Sequence, residues 1–461
     1  MADTTTQPLP DRAANPPWVW VIAAAIPLML LTPAVWNGYP LLQSDTGGYL
    51  ARWYEGYLVP SRSTVFGLYL HFGEHSYFWL NLAIQALATI WILQVTLRVF
   101  GLARPWRLFG LCLVLTLTTA LPWLASMLLT DIFAGLSVLS LFILVLHGDK
   151  VSGPEKAALF VFTAFAAATH SATMAVLLGL CCVGWIARPF LRGRIPLTHL
   201  AQGTLTIPAG AVMLLSANFA LSGQVAWTPG GYAIAFARML QDGIVTRYLN
   251  DHCPTQHFKL CPYREELPET ADDFLWSRET VFNKLGRFPG MGDEMGYIAV
   301  HALADYPLWQ AEEALLATGE QMLKVATGEN TDPPTVAHTY GIFRSFLRQQ
   351  LKVMDAARQQ RSFITFGPIN LIHVPVALVS TAVVFVMLLA ALFRRQTDDV
   401  TLLMATVVLA LLGNAVICGV ISGPHDRYGS RLVWITTCTL VIAAMKRSPR
   451  NQPRDDPSPA A

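Results

Sequence analysis

Residues 371–393 read Leu-Ile-His-Val-Pro-Val-Ala-Leu-Val-Ser-Thr-Ala-Val-Val-Phe-Val-Met-Leu-Leu-Ala-Ala-Leu-Phe, without one Asp, Glu, Lys or Arg, and Arg394-Arg395 follow at once. As a helix this run is about 34 Å long, enough to cross a hydrocarbon core of about 30 Å. Backbone N–H and C=O groups find no water in such a core, so the segment must be a helix or part of a closed barrel. Its apolar residues are continuous rather than alternating, which selects the helix. Working outward from it, similar runs recur at about 17–36, 77–97, 108–125, 131–147, 156–170, 172–188, 199–221, 400–421 and 432–445. The fifth and sixth runs are parted only by His170-Ser171. Together they are too long for one crossing and are read as a hairpin. The expected fold class is all-α, a polytopic membrane protein of about ten transmembrane helices with a mostly helical outer-face domain.

Composition agrees. The chain is 53% hydrophobic and 13% charged, with a mean hydropathy of +0.43, whereas soluble domains carry roughly a quarter charged residues. A net charge of +2 over 461 residues points to no nucleic-acid partner. The position of the charges matters more. Arg98, Arg104 and Arg107 lie between runs two and three, and Lys150 and Lys156 between four and five. Arg188, Arg192 and Arg194 follow run six, Arg394 and Arg395 run eight, and Lys446, Arg447 and Arg450 run ten. These loops alternate with basic-poor ones, which assigns them and both termini to the cytoplasm of a bacterial inner membrane. The first run is not read as a cleavable signal, because it is about 20 residues long and leads into Trp36-Asn37-Gly38-Tyr39-Pro40.

This divides the chain into four parts. Residues 1–221 hold seven helices and the first outer loop, 222–370 a periplasmic helical domain, 371–446 three helices, and 447–461 a Pro-, Arg- and Asp-rich tail expected to be disordered. Cys253 and Cys261 lie in the outer segment, where an oxidising compartment favours a disulfide. Cys112, Cys181, Cys182, Cys418 and Cys438 sit in apolar runs and read as small buried residues.

Four polar clusters fall at one level on the outer side. They are Gln43-Ser44-Asp45-Thr46-Gly47-Gly48-Tyr49, the turn from Leu121-Pro122-Trp123 to Thr130-Asp131, Thr169-His170-Ser171, and Ser422 to Arg431 with His425-Asp426-Arg427-Tyr428 at its centre. Ionisable groups near a membrane interior are costly and usually face a cavity or one another. Each also has a plain structural reading. Ser44 or Asp45 fits the cap of a helix starting at Thr46, and Asp131 the cap of the fourth run. His170 fits a turn, and Arg427 and Arg431 fit interfacial anchors. Arg238, with Asp242 and Arg247, is a candidate lip over the site, or simply part of an amphipathic surface helix.

The layout resembles the glycosyltransferase-C superfamily, multispanning enzymes that take sugars from polyprenyl-phosphate carriers. Asp45 in Ser-Asp-Thr-Gly-Gly-Tyr stands where family members carry an essential acid soon after the first span. Thr130-Asp131 matches a second acid found in lipid A aminoarabinose transferases and protein O-mannosyltransferases. His170 stands where these relatives place a basic residue, more often Lys, against the carrier phosphate. Arg427-Tyr428 is similar to a late Arg-Tyr pair of several members.

The resemblance implies inverting transfer of a sugar from a polyprenyl-phosphate donor to a hydroxyl of a lipid, glycan or protein on the periplasmic face. Asp45 and Asp131 are the expected catalytic residues, Asp45 as the base and Asp131 to hold a cation bridging the phosphate or to orient His170, and Arg427, Arg431, Tyr428 and His170 are expected to meet the phosphate. His425 and Asp426 are secondary candidates. Asp45 and Asp131 are also a tentative site for Mg²⁺ or Mn²⁺, and Trp53, Tyr54 and Trp123 are expected at the cavity mouth. The competing readings are a secondary transporter, with Pro208 and Gly210 as its sign of a broken helix, a membrane acyltransferase acting through His170, and a non-catalytic envelope-assembly protein.

Overall fold

The computed structural model describes residues 17–447 except 192, 229, 230 and 278. Arg192, Arg450 and the expected disordered tail beyond Arg447 lie outside the described residues. The first half of the chain forms α1 (Pro17–Asn37), α2 (Thr46–Glu55), α3 (Thr64–Gly73), α4 (Trp79–Val99), α5 (Pro105–Thr118), α6 (Leu121–Ala125), α7 (Asp131–Leu146), α8 (Gly153–Thr169), α9 (Ser171–Ala187) and α10 (Leu197–Ser222). Next come α11 (Tyr232–Gln241), α12 (Ile244–His252), α13 (Ala271–Trp276), α14 (Val281–Lys284), α15 (Arg287–Asp305), α16 (Pro307–Leu323), α17 (Ala337–Phe346) and α18 (Leu351–Ala356). The chain ends in α19 (Gly367–Phe393), α20 (Asp399–Ile421) and α21 (Asp426–Arg447). No strand forms among the described residues. Leu41 and Met127 make one isolated parallel bridge.

Six helices (α1, α4, α10, α19, α20 and α21) are long and apolar enough to cross a bilayer, and the chain is a membrane protein on that ground. The shorter α5, α7 and α9 are also apolar. All ten runs read from the sequence fall on helices, with two corrections. The run at 108–125 is interrupted, since α5 stops at Thr118 and α6 restarts at Leu121 with Pro122 in its first turn. The break is at Thr119, whose backbone is extended, and Pro122 fits the restart because the first turn of a helix leaves its N–H groups unpaired in any case. The last run begins six residues earlier than read, because α21 starts at Asp426. The supposed hairpin loop of the fourth cluster is therefore mostly helix. Pro208 and Gly210 both lie inside one continuous α10, so the broken helix expected of a transporter is not formed there.

The bundle is centred on α7, whose residues from Asp131 to Leu144 are all buried. It packs on α4, α8, α10, α20 and α21. At Gly135 the indole of Trp434 lies so close that a Cβ would approach its ring to 2.7 Å. This contact sets the register between α7 and α21, and so places Asp131, one turn back on α7, beside Arg427 and Arg431.

The segment between α10 and α19 has two parts. Residues 233–302 build their own core around Phe236, Tyr248, Phe274, Phe282 and Ile298, and Cys253 and Cys261 are disulfide-bonded. Val325, Ile342, Phe343, Leu347 and Met354 belong instead to the main core. This second part runs as a strap across the end of the bundle that carries Asp45. Buried Gln359 ties it down: its amide accepts from Leu42 N–H (3.0 Å) and donates to the Leu42 (2.6 Å) and Thr331 (2.8 Å) carbonyls.

Gly135→Val tests the register contact. Overpacking against Trp434 is expected to cost about 1–3 kcal/mol, read as a lower thermal midpoint in detergent. An unchanged midpoint would mean that α7 and α21 are not held at this point.

Candidate active site

The site starts from a helix that its acid does not cap. Asp45 stands at the N-cap of α2, yet its side chain makes no cap hydrogen bond. Thr46 secures the backbone instead, its hydroxyl donating to the Leu128 carbonyl (3.0 Å) and accepting from Gln43 N–H (3.0 Å). The strap adds a bond from Gly47 N–H to the Thr339 hydroxyl (2.9 Å). Freed from capping, the Asp45 carboxylate turns inward. It pairs with Arg427 Nη1 (2.6 Å) and with Arg62 Nη2. Arg62 lies across Gly48, where a Cβ would meet its Nε at 2.8 Å, so a larger residue there would displace this guanidinium.

Arg427 also donates from Nε to Asp131 Oδ2 (2.8 Å), so one guanidinium joins two carboxylates that are 86 residues apart in sequence. Arg431, one turn further along α21, points the same way. It is fully buried, donates to Asn414 Oδ1 from Nε (3.2 Å) and Nη2 (2.6 Å), and has Nη1 4.0 Å from Asp131 Oδ1 and 3.4 Å from His170 Nδ1. Three guanidiniums against two carboxylates leave one positive charge in excess. Burial resists ionisation of Asp45, but Arg62 and then Arg427 overcome it and hold the carboxyl at about 2.

A cavity of about 330 Å³ opens beside this cluster, in the size range of small-molecule sites. Asp45, Tyr49, Arg62, His170, Arg427 and Tyr428 form its polar wall. Leu58, Val59, Leu214, Trp227, Ile417 and Ile421 form the apolar wall. The Tyr49 hydroxyl is buried and has no hydrogen-bond partner among the described residues.

Of the residues singled out in the sequence, Asp45, His170, Arg427 and Tyr428 therefore share one cavity. Asp131 and Arg431 stand directly behind it, and their side chains are 2% and 1% exposed against 19% for Asp45. His425 and Asp426 do not face it. The Asp426 carboxylate accepts from Ala326 N–H (2.8 Å) and His425 Nδ1 bonds Glu329 (2.9 Å), so both hold the strap. Arg238 is buried in a pair with Asp242 (2.6 Å) and lines no part of the cavity. The expected aromatic mouth is also corrected. The Trp53 indole donates to the Thr64 carbonyl, Tyr54 stacks on Phe346 and Trp123 packs on Phe366, so packing occupies all three.

The tentative metal site fits poorly. Both Asp45 oxygens and both Asp131 oxygens face guanidinium nitrogens, and Arg427 occupies the position a bridging divalent cation would need.

Arg62, Tyr49, Trp227, Asn414 and Glu329 had no assigned role in the sequence. Arg62 carried a signal, being a basic residue in a loop otherwise assigned to the basic-poor side. Glu329 sits at the start of α21, accepting from His425 and from Arg427 N–H (2.8 Å), as suits an anion at a helix N-terminus. No protein-family model, curated protein or solved structure matches the chain.

The His425–Glu329 latch gives a pH dependence. The hydrogen bond to Glu329 raises the His425 imidazole against the opposing effect of burial. Burial raises Glu329, but His425 and the Arg427 N–H outweigh it and bring it below the ordinary carboxyl range. The His425 contribution is complete below the usual imidazole value of about 6.5 and is lost as pH rises through its raised value. The Glu329 contribution is complete above the usual value of about 4.3 and is lost on acidification. The latch is therefore strongest between about pH 4.3 and 6.5. The thermal midpoint should fall between about pH 6 and 9, with a shallower slope in His425→Gln. Equal slopes would remove this pair from the stability profile.

Proposed function

We propose that the chain is a bacterial inner-membrane glycosyltransferase of the glycosyltransferase-C kind. In this reading it crosses the bilayer about ten times with both termini in the cytoplasm. The Asp45 end of the bundle then faces the periplasm, with residues 222–370 outside. The alternation of basic and basic-poor loops supports the sidedness. The ten apolar runs, nine of them each on one helix and the run at 108–125 divided between α5 and α6, support the number of crossings.

The observation that carries the reading is the Asp45 carboxylate held by two guanidiniums on the wall of a half-apolar cavity, in a cluster with one positive charge in excess. A donor made of an anionic phosphate, a sugar and a polyprenyl tail matches these three properties. The phosphate meets Arg62 and Arg427, since a guanidinium fork suits phosphate oxygens. The unpartnered Tyr49 hydroxyl is available to the sugar, and the side lined by Leu214, Ile417 and Ile421 suits the prenyl chain.

At about 2, Asp45 is a weak base in the resting protein. A bound phosphate competes for the same two guanidiniums and weakens their hold on the carboxylate, which raises its basicity as the donor arrives. The acceptor hydroxyl then attacks the anomeric carbon from the face opposite the phosphate. The new bond joins the acceptor oxygen to that carbon, and the bond from the carbon to the phosphate oxygen breaks. The hydroxyl proton goes to Asp45, and polyprenyl phosphate leaves against Arg62 and Arg427. Asp131 stays buried and holds Arg427 and Arg431 in place. Inversion at the anomeric carbon follows from the single displacement.

Asp45→Asn should lower transfer from polyprenyl-phosphate sugars by about 10²–10⁴-fold. Arg62→Ala should chiefly raise KM for the donor and weaken binding of polyprenyl phosphate itself. Wild-type transfer in Asp45→Asn would refute the base assignment. Tight polyprenyl phosphate binding in an Arg62→Ala, Arg427→Ala double variant would refute the phosphate site.

A further inference from the structure

At the other end of the bundle, where α19 and α21 finish and α20 begins, lies a larger cavity of about 500 Å³. It is separated from the Asp45 site by the length of α20, about 35 Å. Its lining has two characters. Arg194, Arg394, Lys446 and Arg447 supply four positive charges, and Asp398 and Asp399 supply two negative ones. Both acids are already engaged. The Asp398 carboxylate caps α20, accepting from the N–H groups of Val400 (2.9 Å) and Thr401 (3.1 Å). Asp399 is shared between Lys150 (3.2 Å) and Arg194 (3.5 Å). Arg394, Lys446 and Arg447 make no ion pair among the described residues.

The floor is apolar. Met387, Ala390, Ala391, Met404 and Ala443 line it, continuous with a small separate core of Val384, Leu388, Met404 and Val408. Leu389, Leu392 and Phe393 are exposed on the adjoining turns of α19, Phe393 at 87%. A pocket with a cationic rim, an apolar floor and a margin of exposed apolar side chains is complementary to a molecule with the same division, an anionic head on an apolar tail. We propose that this cavity binds an anionic phospholipid, its phosphate set among Arg394, Lys446 and Arg447 and the start of an acyl chain laid against Met387 and Met404. Basic pockets between transmembrane helices recognise lipid headgroups in this way, and each nearby Lys or Arg contributes about fivefold in affinity. The inference does not depend on the activity assigned to the Asp45 site.

The test uses the full chain, purified in detergent and incubated with vesicles of phosphatidylglycerol or of phosphatidylcholine with identical acyl chains. Retained lipid is counted by native mass spectrometry. The protein should retain phosphatidylglycerol in clear preference to phosphatidylcholine. Arg394→Gln with Lys446→Gln should weaken that retention by about tenfold or more. Arg104→Gln with Lys156→Gln removes the same charge elsewhere at this end and should leave retention unchanged. Equal retention of the two lipids overturns the proposal, as does an equal loss in both double variants, which would signify only general surface attraction. Displacement of phosphatidylglycerol by millimolar inorganic phosphate also overturns it, because the pocket would then be reading a free anion and not a lipid.

Discussion

One guanidinium organises the Asp45 end of this molecule. Arg427 binds Asp45 and Asp131 at once, and all three are largely withdrawn from water. Removing one member of a buried pair strands its partner's charge at a cost of about 3–5 kcal/mol, so three elements are committed to one geometry. The first loop must present Asp45 inward and not as a cap. The central helix must begin with Asp131 at the level of Arg427. The last helix must begin at Asp426, early enough to turn both Arg427 and Arg431 toward the same carboxylate. The strap completes the set by placing Glu329 at the start of that helix.

The two ends of the bundle use positive charge differently. Around Asp45 the cations are arginines, Arg427 and Arg431 fixed by forked hydrogen bonds to Asp131 and to Asn414 and Arg62 by a bond to Asp45. That rigidity suits a site where a charge must be met at a set position. At the far end Arg394, Lys446 and Arg447 are exposed and the neighbouring acids are spoken for. Long side chains left free in this way suit attraction to a surface more than alignment of a reaction.

How much of this was legible follows from the kind of signal each part left. Continuous apolar runs located the helices, because a bilayer imposes length and hydrophobicity directly on the sequence. Asp45, Asp131, His170, Arg427 and Arg431 stood out because polar groups at the edge of such runs require explanation, and the structure brings these five together. The break at Thr119 and the early start of α21 were missed. The first is one extended residue, Thr119, inside an otherwise suitable run, and prolines inside α1, α10 and α19 leave those helices continuous. The second lies in a polar stretch whose helicity comes from tertiary pairing and not from its own propensity. His425, Asp426 and Arg238 carried the same composition signal as the site residues, but composition does not say which way a side chain faces. Arg62 and Glu329 come from segments that reach the site only through the fold, whereas Tyr49 lay in the Asp45 cluster but with no role given to it.

The spacing of these partners along the chain has a consequence for biosynthesis. Asp131 emerges from the ribosome 296 residues ahead of Arg427, an interval of roughly 15–60 s at ordinary elongation rates of about 5–20 residues per second. Throughout that interval the central helix exists without the cation that neutralises its acid. The ion-pair cluster at that end of the bundle is therefore completed only once α21 has been made. A chain stopped short of α21 would lack both Arg427 and Arg431 and keep an uncompensated carboxylate at its centre.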